Sequence, residues 1–326
     1  TFFTKPINLC YMLLGSTLGL SLLGLIMVFS ASSIYSLDAK GSSYAVVLRQ
    51  FIFLVLSIPM AWVFSRFSLA QWKLIARFGF IVSIALLVLV QLIGKTVNGN
   101  NNWISLGFVD VQPSEIAKFM MILWAGFMLA KQERSGVDHI AVLKLIAPAF
   151  ALCIILVMAG SDLGTASVFA CILAGLLWVS GLRLGIFGIA LSVGLVGLTA
   201  AILTSPYRVQ RFMVFLNPFA EDQYKLYGWQ PAHSLLGLAS GGLFGVGLGA
   251  SRQKWGNLAE AHTDFIFAVI GEELGLFGTL ATLLLLSILI FSIFKLALRA
   301  GDPMVRYVAS GFGVWIAIQT ILNIGS

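Results

Sequence analysis

Apolar runs separated by short polar punctuation fill the chain, and most are close to the roughly 20 residues a helix needs to cross a bilayer. Nine predicted spans lie near 10–30, 46–65, 74–93, 114–130, 142–160, 163–181, 184–204, 264–296 and 304–323. The first lacks a small-residue cleavage pattern and reads as a retained helix rather than a leader. The eighth is longer than one crossing requires, so part of it is expected to project beyond the membrane or to tilt. Between spans seven and eight runs a loop, 205–263, too long to be expected without structure of its own. Leu235, Leu236, Leu238, Leu243 and Phe244 make stretches of it apolar. Short amphipathic or re-entrant helices are expected there, because irregular backbone at membrane depth must be buried in protein or line a wet cavity.

Composition agrees with the pattern. Of 326 residues, 59% are hydrophobic and 10% charged, and the mean hydropathy of +0.98 excludes an ordinary soluble domain. The expected fold is an all-α polytopic membrane protein, a single helical bundle over 1–326. Cys10, Cys153 and Cys171 sit in apolar segments without zinc or disulfide spacing. The net charge of +7 reports topology rather than a nucleic-acid partner. Placing the N-terminus inside gives the inner segments eleven basic residues: Lys5, Arg66, Lys73, Arg77, Lys131, Arg134, Lys144, Arg183, Lys295, Arg299 and Arg306. The short outer loops then hold three, Lys40, Arg49 and Lys95. That asymmetry puts the N-terminus in the cytoplasm and the long loop outside.

Charges inside such a chain cost roughly 2.5–3.5 kcal/mol each on insertion scales, so each needs a partner or a task. Glu115 and Lys118 stand three apart behind Pro113, on one face of a helix start. They are either a structural ion pair or part of a cavity. Asp162 sits in a short turn between two spans and reads first as a helix cap. Arg208 and Arg211 share a face at the outer surface, where they either meet lipid headgroups or clamp the phosphates of a lipid-linked substrate. The fourth cluster is "AEAHTDFIFAVIGEELG", 259–275, with Glu260, His262, Asp264, Glu272 and Glu273 beside an apolar run. Asp264 alone would read as an N-cap, and His262, without metal-ligand companions, as a hydrogen-bonding neighbour. Adjacent helical residues point about 100° apart, so Glu272 and Glu273 should not share one partner.

At these residues the chain resembles the FtsW/RodA family, also called SEDS proteins. The matching segments are "NNWISLGFVDVQPSEIAK" (101–118), "DLGTA" (162–166), "RVQRFMVFLNPFA" (208–220), "SLLGLASGGLFGVGLGAS" (234–251) and "EAHTDFIFAVIGEELGL" (260–276). Their order covers essentially the whole chain, and "IGEELG" with "GASRQK" is more similar to the division branch than to the elongation branch. Ser161 stands where the family usually has Pro, and His233 where it usually has Gln. The family carries a tenth span behind a Gly/Pro-rich outer loop, whereas this sequence ends at Ser326, near the end of the ninth.

The resemblance implies a peptidoglycan glycosyltransferase of the bacterial cytoplasmic membrane, at the division septum. It would polymerise lipid II on the outer face beside a class B penicillin-binding protein and other divisome membrane proteins. It puts the family's essential carboxylate on Asp264, as general base or metal ligand, and draws Glu115, Lys118, Arg208, Arg211, His262 and Ser234 to the substrate. A divalent cation, Mg²⁺ or Mn²⁺, would fit between pyrophosphate and carboxylate, but no spacing establishes one. Three alternatives stay open: a lipid II flippase using the same charges, an elongation-type polymerase, and a scaffold that positions the transpeptidase.

Overall fold

The computed structural model describes residues 6–97, 100–107, 109–136 and 139–325. Lys5 of the charge count, Phe108 of the 101–118 segment and the terminal Ser326 lie outside them. The chain begins with α1 (Pro6–Lys40), α2 (Ala45–Ser65) and α3 (Leu69–Ile93). Three strands follow, β1 (Lys95–Val97), β2 (Asn100–Ser105) and β3 (Asp110–Val111). Next come α4 (Pro113–Arg134), α5 (His139–Ala159), α6 (Leu163–Val179) and α7 (Leu184–Leu203). The long loop holds α8 (Pro206–Leu216), α9 (Glu221–Tyr224) and α10 (Trp229–Ser240), ahead of α11 (Ile266–Arg299) and α12 (Pro303–Ile324).

Among the described residues, eight helices are long and apolar enough to cross a membrane. The predicted sixth span is α6, a shorter apolar helix of 17 residues. The chain is a multi-pass membrane protein. Helices α2 and α7 bury no residue at all. Helices apolar all round and unburied suit lipid as their solvent.

Two compact units divide the chain. One comprises Phe67–Leu198 and Ile293–Gln319. Its core gathers Met121 and Ile122 of α4, Phe150 of α5, and Phe169, Ile172 and Leu176 of α6, all fully buried. Local signals start its helices: Ser68 and Gln71 form a capping box before α3, and Pro113 and Glu115 occupy the first turn of α4. Asp302 accepts hydrogen bonds from Arg134, at the C-terminal end of α4, at 2.8 Å and from Lys73, near the start of α3, at 3.4 Å.

Beside the expected helices, the described residues of 95–111 form a small antiparallel sheet in the order β1-β2-β3, which the apolar pattern does not announce. Thr96, Val97, Trp103, Ile104 and Val111 favour strands, but strands this short leave no period to detect. Asp162 does cap α6, accepting the Thr165 amide at 2.9 Å. It also pins the sheet, accepting from Asn102 Nδ2 at 2.8 Å and Gln112 Nε2 at 3.4 Å. Ser161 before it has φ +66°. The family's usual proline, locked near −65°, could not take that conformation.

The other unit comprises Thr1–Arg66, Thr199–Ser292 and Thr320–Ser326. A smaller core joins Met27 and Ala31 of α1 to Leu258, Ala261, Phe265, Ala268, Val269 and Ile270. Helices α8, α9 and α10 occur where the sequence placed short helices. The predicted eighth span differs in kind. It is broken at Gly275 (φ 67°, ψ −161°), leaving a half-helix over 266–274 and a continuation over 276–299. Its excess length is thus divided between two pieces.

Candidate functional site

The break at Gly275 exposes backbone groups that no helix satisfies, and the glycine-rich run 241–249 takes them up. Val246 N and Gly247 N donate to the carbonyls of Glu272 and Glu273 at 2.9 and 3.1 Å. From the far side, Leu276 N and Phe277 N donate to the carbonyls of Gly242 and Leu243 at 2.9 and 3.2 Å. The approach is close enough that a methyl group on Gly241 or Gly245 would overlap the backbone of 271–274. A broken helix is tolerated in a membrane protein when neighbouring backbone replaces the lost hydrogen bonds. This is the physical use of "GGLFGVGLG".

The same half-helix resolves the two acids. Glu272 and Glu273 are both buried. Glu272 accepts from Ser251 Oγ at 2.5 Å and from the amides of Arg252 and Gln253 at 2.9 and 3.4 Å. Glu273 accepts from Ser30 Oγ at 2.7 Å, Ser251 N at 3.3 Å and Lys254 Nζ at 3.0 Å. Their main partners differ, as helical geometry requires, but Ser251 reaches both, its hydroxyl going to one and its amide to the other. Neither acid faces an open cleft; both tie the loop to the half-helix.

Asp264 stands in the turn just before α11 and remains exposed. The packing around its carboxyl, and then Glu260 nearby, push its pKa above the ordinary value, while Arg211 and His262 pull it down. The structure therefore brings Asp264, Arg211 and His262 of the expected set into one electrostatic neighbourhood. His262 also stacks on Tyr35, with ring centres 5.0 Å apart. Among the described residues no group of three or more His, Cys, Asp or Glu stands together as a ready metal cage. A cation shared with substrate phosphates needs only one or two carboxylates, and Asp264 lies in the electrostatic field of a second one, Glu260.

The remaining candidates separate. Arg208 donates from Nη1 to the Ala201 carbonyl at 2.9 Å, tying α8 to the last turn of α7. His233 is buried, with Nδ1 2.8 Å from the Trp229 carbonyl and its ring against Trp229 at 4.1 Å between centres. It therefore packs rather than reaching outward. Ser234 beside it is buried on the packed face of α10.

In the other unit, Lys118 is buried and its Nζ lies 2.7 Å from Glu115 Oε1, which confirms the pair. Sequence reasoning missed its two further neighbours on α12. Nζ sits 5.0 Å from the centre of the Trp315 ring and 3.5 Å from Gln319 Oε1, which in turn accepts from Trp315 Nε1 at 2.7 Å. The i, i+4 spacing of those two polar-capable residues in an apolar helix was the available signal. Ser30, Ser251 and Lys254 were missed as well.

Comparison with known proteins agrees with this architecture. A family model described as "Cell cycle protein", covering FtsW, RodA and SpoVE, matches residues 10–326. The probable peptidoglycan glycosyltransferase FtsW of Coxiella burnetii is 40% identical over 316 residues, spanning 95% of this chain and 84% of that protein. A crystal structure of a mutant of the Thermus thermophilus rod shape determining protein RodA superposes with a TM-score of 0.69 at 24% identity, covering 97% of this chain and 84% of that one. A peptidoglycan synthase complex, described for its coordination of polymerisation and crosslinking, contains a chain matching with a TM-score of 0.71 at 24% identity, covering 93% and 85%. The chain belongs to the FtsW/RodA/SpoVE family of cell cycle proteins.

Proposed function

We propose that this protein is a peptidoglycan glycosyltransferase that polymerises lipid II at the outer face of the bacterial cytoplasmic membrane, in the division branch of its family. The relative named for that activity covers almost the whole chain. The observation that carries the mechanism is Asp264, an exposed carboxylate with a raised pKa on the threshold of α11. The reacting sugars are polar but hang on lipid pyrophosphates, so a base at such a threshold stands where they meet the membrane surface. A sugar hydroxyl attacks the anomeric carbon of the donor as Asp264 accepts its proton. The bond from that carbon to the pyrophosphate oxygen breaks, and the lipid pyrophosphate leaves with the electron pair. One direct displacement on an α-linked donor gives a β-linked product. A positioned base contributes typically 10²–10⁴-fold.

Charge developing on the leaving pyrophosphate needs cationic partners, often the larger contribution. Arg211 stands in the field of Asp264. Among the described residues Lys118 makes one short hydrogen bond, to Glu115, and one at 3.5 Å, to Gln319, so the three donors of its ammonium are not all spent there. Arg208 is the weaker candidate, since part of its guanidinium is committed to Ala201. A divalent cation held by Asp264 and Glu260 would, when bound, supply further positive charge to the phosphates. Partnership with a class B penicillin-binding protein is supported by the synthase complex in which a chain of this fold occurs.

The test is purified protein with its transpeptidase and labelled lipid II in detergent, followed for glycan ladders with and without chelator. A flippase makes no ladders. Asp264→Asn keeps size and helix-capping ability but loses the proton acceptor, and polymerisation should fall by about 10² or more. Ladders at near-parental rate from this variant would sink the assignment.

A further inference from the structure

The buried pair Lys254–Glu273 takes no part in the chemistry just described. Its side chains are 3% and 0% exposed, with Nζ to Oε1 at 3.0 Å. Every donor of the Lys254 ammonium is used: it reaches Gly249 O at 2.7 Å, Ser30 Oγ at 3.2 Å and Glu273. Glu273 in turn accepts from Ser30 Oγ and Ser251 N. Three segments far apart in sequence therefore meet at one carboxylate: α1 through Ser30, the loop after the glycine run through Ser251 and Lys254, and the half-helix 266–274.

Net stability is a poor reason to keep such a pair. Desolvation offsets most of the attraction, and well-packed apolar replacements of buried pairs are often neutral or stabilising. Geometry is the better reason. Glu273 lies near the inner end of the half-helix and Asp264 just beyond its other end. At 1.5 Å per residue that makes a lever of roughly 10–13 Å. A tilt of about 5° then moves Asp264 by about 1 Å, a displacement that can cost 10²-fold in a positioned reaction. The apolar contacts of Phe265 and Val269 with Met27 and Ala31 hold one side of the lever, and apolar packing alone sets direction less sharply than a hydrogen-bonded charge.

We infer that Lys254 and Glu273 are positioning residues: their pair, tied to Ser30, fixes the half-helix and thereby the placement of Asp264. This rests on Asp264 being the reacting carboxylate.

The experiment uses the full chain with its transpeptidase and labelled lipid II, comparing Lys254→Met, Glu273→Gln and the double variant. It reads kcat, KM, thermal unfolding and hydrogen exchange over 264–274. Each single variant should lower kcat about 10-fold with KM nearly unchanged, and exchange over 264–274 should quicken. The double variant, with no orphaned charge, should regain most of the thermal stability lost by Lys254→Met without regaining kcat. Glu273→Gln keeps shape and hydrogen bonding, so it reports even if Lys254→Met does not fold. Parental kcat in Glu273→Gln would overturn the inference, as would a double variant that recovers rate and stability together. Those outcomes leave the polymerase assignment standing, whereas near-parental ladders from Asp264→Asn would remove the assignment itself.

Discussion

Among the described residues two lysines are buried, one in each unit, and they are paired in opposite ways. Lys118 is 1% exposed, but its partner Glu115 is 40% exposed. Lys254 is 3% exposed and its partner 0%. The three donors of Lys254 are spent on two oxygens of its surroundings and one of Glu273. Lys118 has one short hydrogen bond, one at the edge of the accepted range and an aromatic face. A closed pair can hold segments together and nothing else. A pair whose acid faces outward can exchange that acid for a ligand oxygen. Residue type and burial are the same in both, so the difference lies in how many donors the protein itself has consumed.

The largest effect that would break this comparison is on catalysis. Lys118→Met keeps the stem that packs on Trp315 and removes the charge. It should lower polymerisation by about 10² or more if Lys118 meets the pyrophosphate, with the protein still folded by thermal unfolding. A rate within a few-fold of parental would make the open pair as structural as the closed one.

The next effect is on stability, and it should run the other way. Glu273→Ala leaves a buried ammonium with no water to replace its acid and should cost about 3–5 kcal/mol, whereas Glu115→Ala should cost less, because water can reach the side of Lys118 from which the 40% exposed acid is removed. Thermal or denaturant unfolding in detergent would measure both. Equal costs would show that exposure does not separate the pairs.

The smallest effect is a shift in pH dependence. Burial, then Glu260, raise the pKa of Asp264, so its carboxylate form is lost at a higher pH than an ordinary aspartate's. The acid limb of the rate profile should lie above that of an ordinary aspartate. Glu260→Gln removes one raising cause and should move that limb to lower pH. A limb unmoved by Glu260→Gln would mean that another group sets it.

Much of the architecture was legible because lipid imposes a coarse rule. Runs of apolar residues near bilayer length mark spans whatever their detail, and α2 and α7 follow that rule alone. Glu115 and Lys118 drew notice because charges amid such runs need a reason, whereas Asp264 read as a cap on its own residues and became a candidate only through the family resemblance. The break at Gly275 was not, since a hydropathy window averages across one glycine in an apolar run. Nor was the sheet at 95–111, whose strands of three, six and two residues carry no usable alternation. Least legible was Ser30. A serine in a membrane helix usually bonds its own backbone, and this one finds its carboxylate 243 residues away. Glu272 and Glu273 were noticed as anomalies, but their explanation needed partners that spacing along the chain does not reveal.

The glycine run has a consequence for change over evolutionary time and in engineering. Surface loops ordinarily absorb insertions at little cost, because closure entropy grows slowly with length. Residues 241–249 form a loop by connectivity but serve as the missing turn of another helix, bonded in register to both sides of Gly275. One added residue would slide four backbone hydrogen bonds out of step at once. This stretch should therefore keep its length as strictly as a helix does.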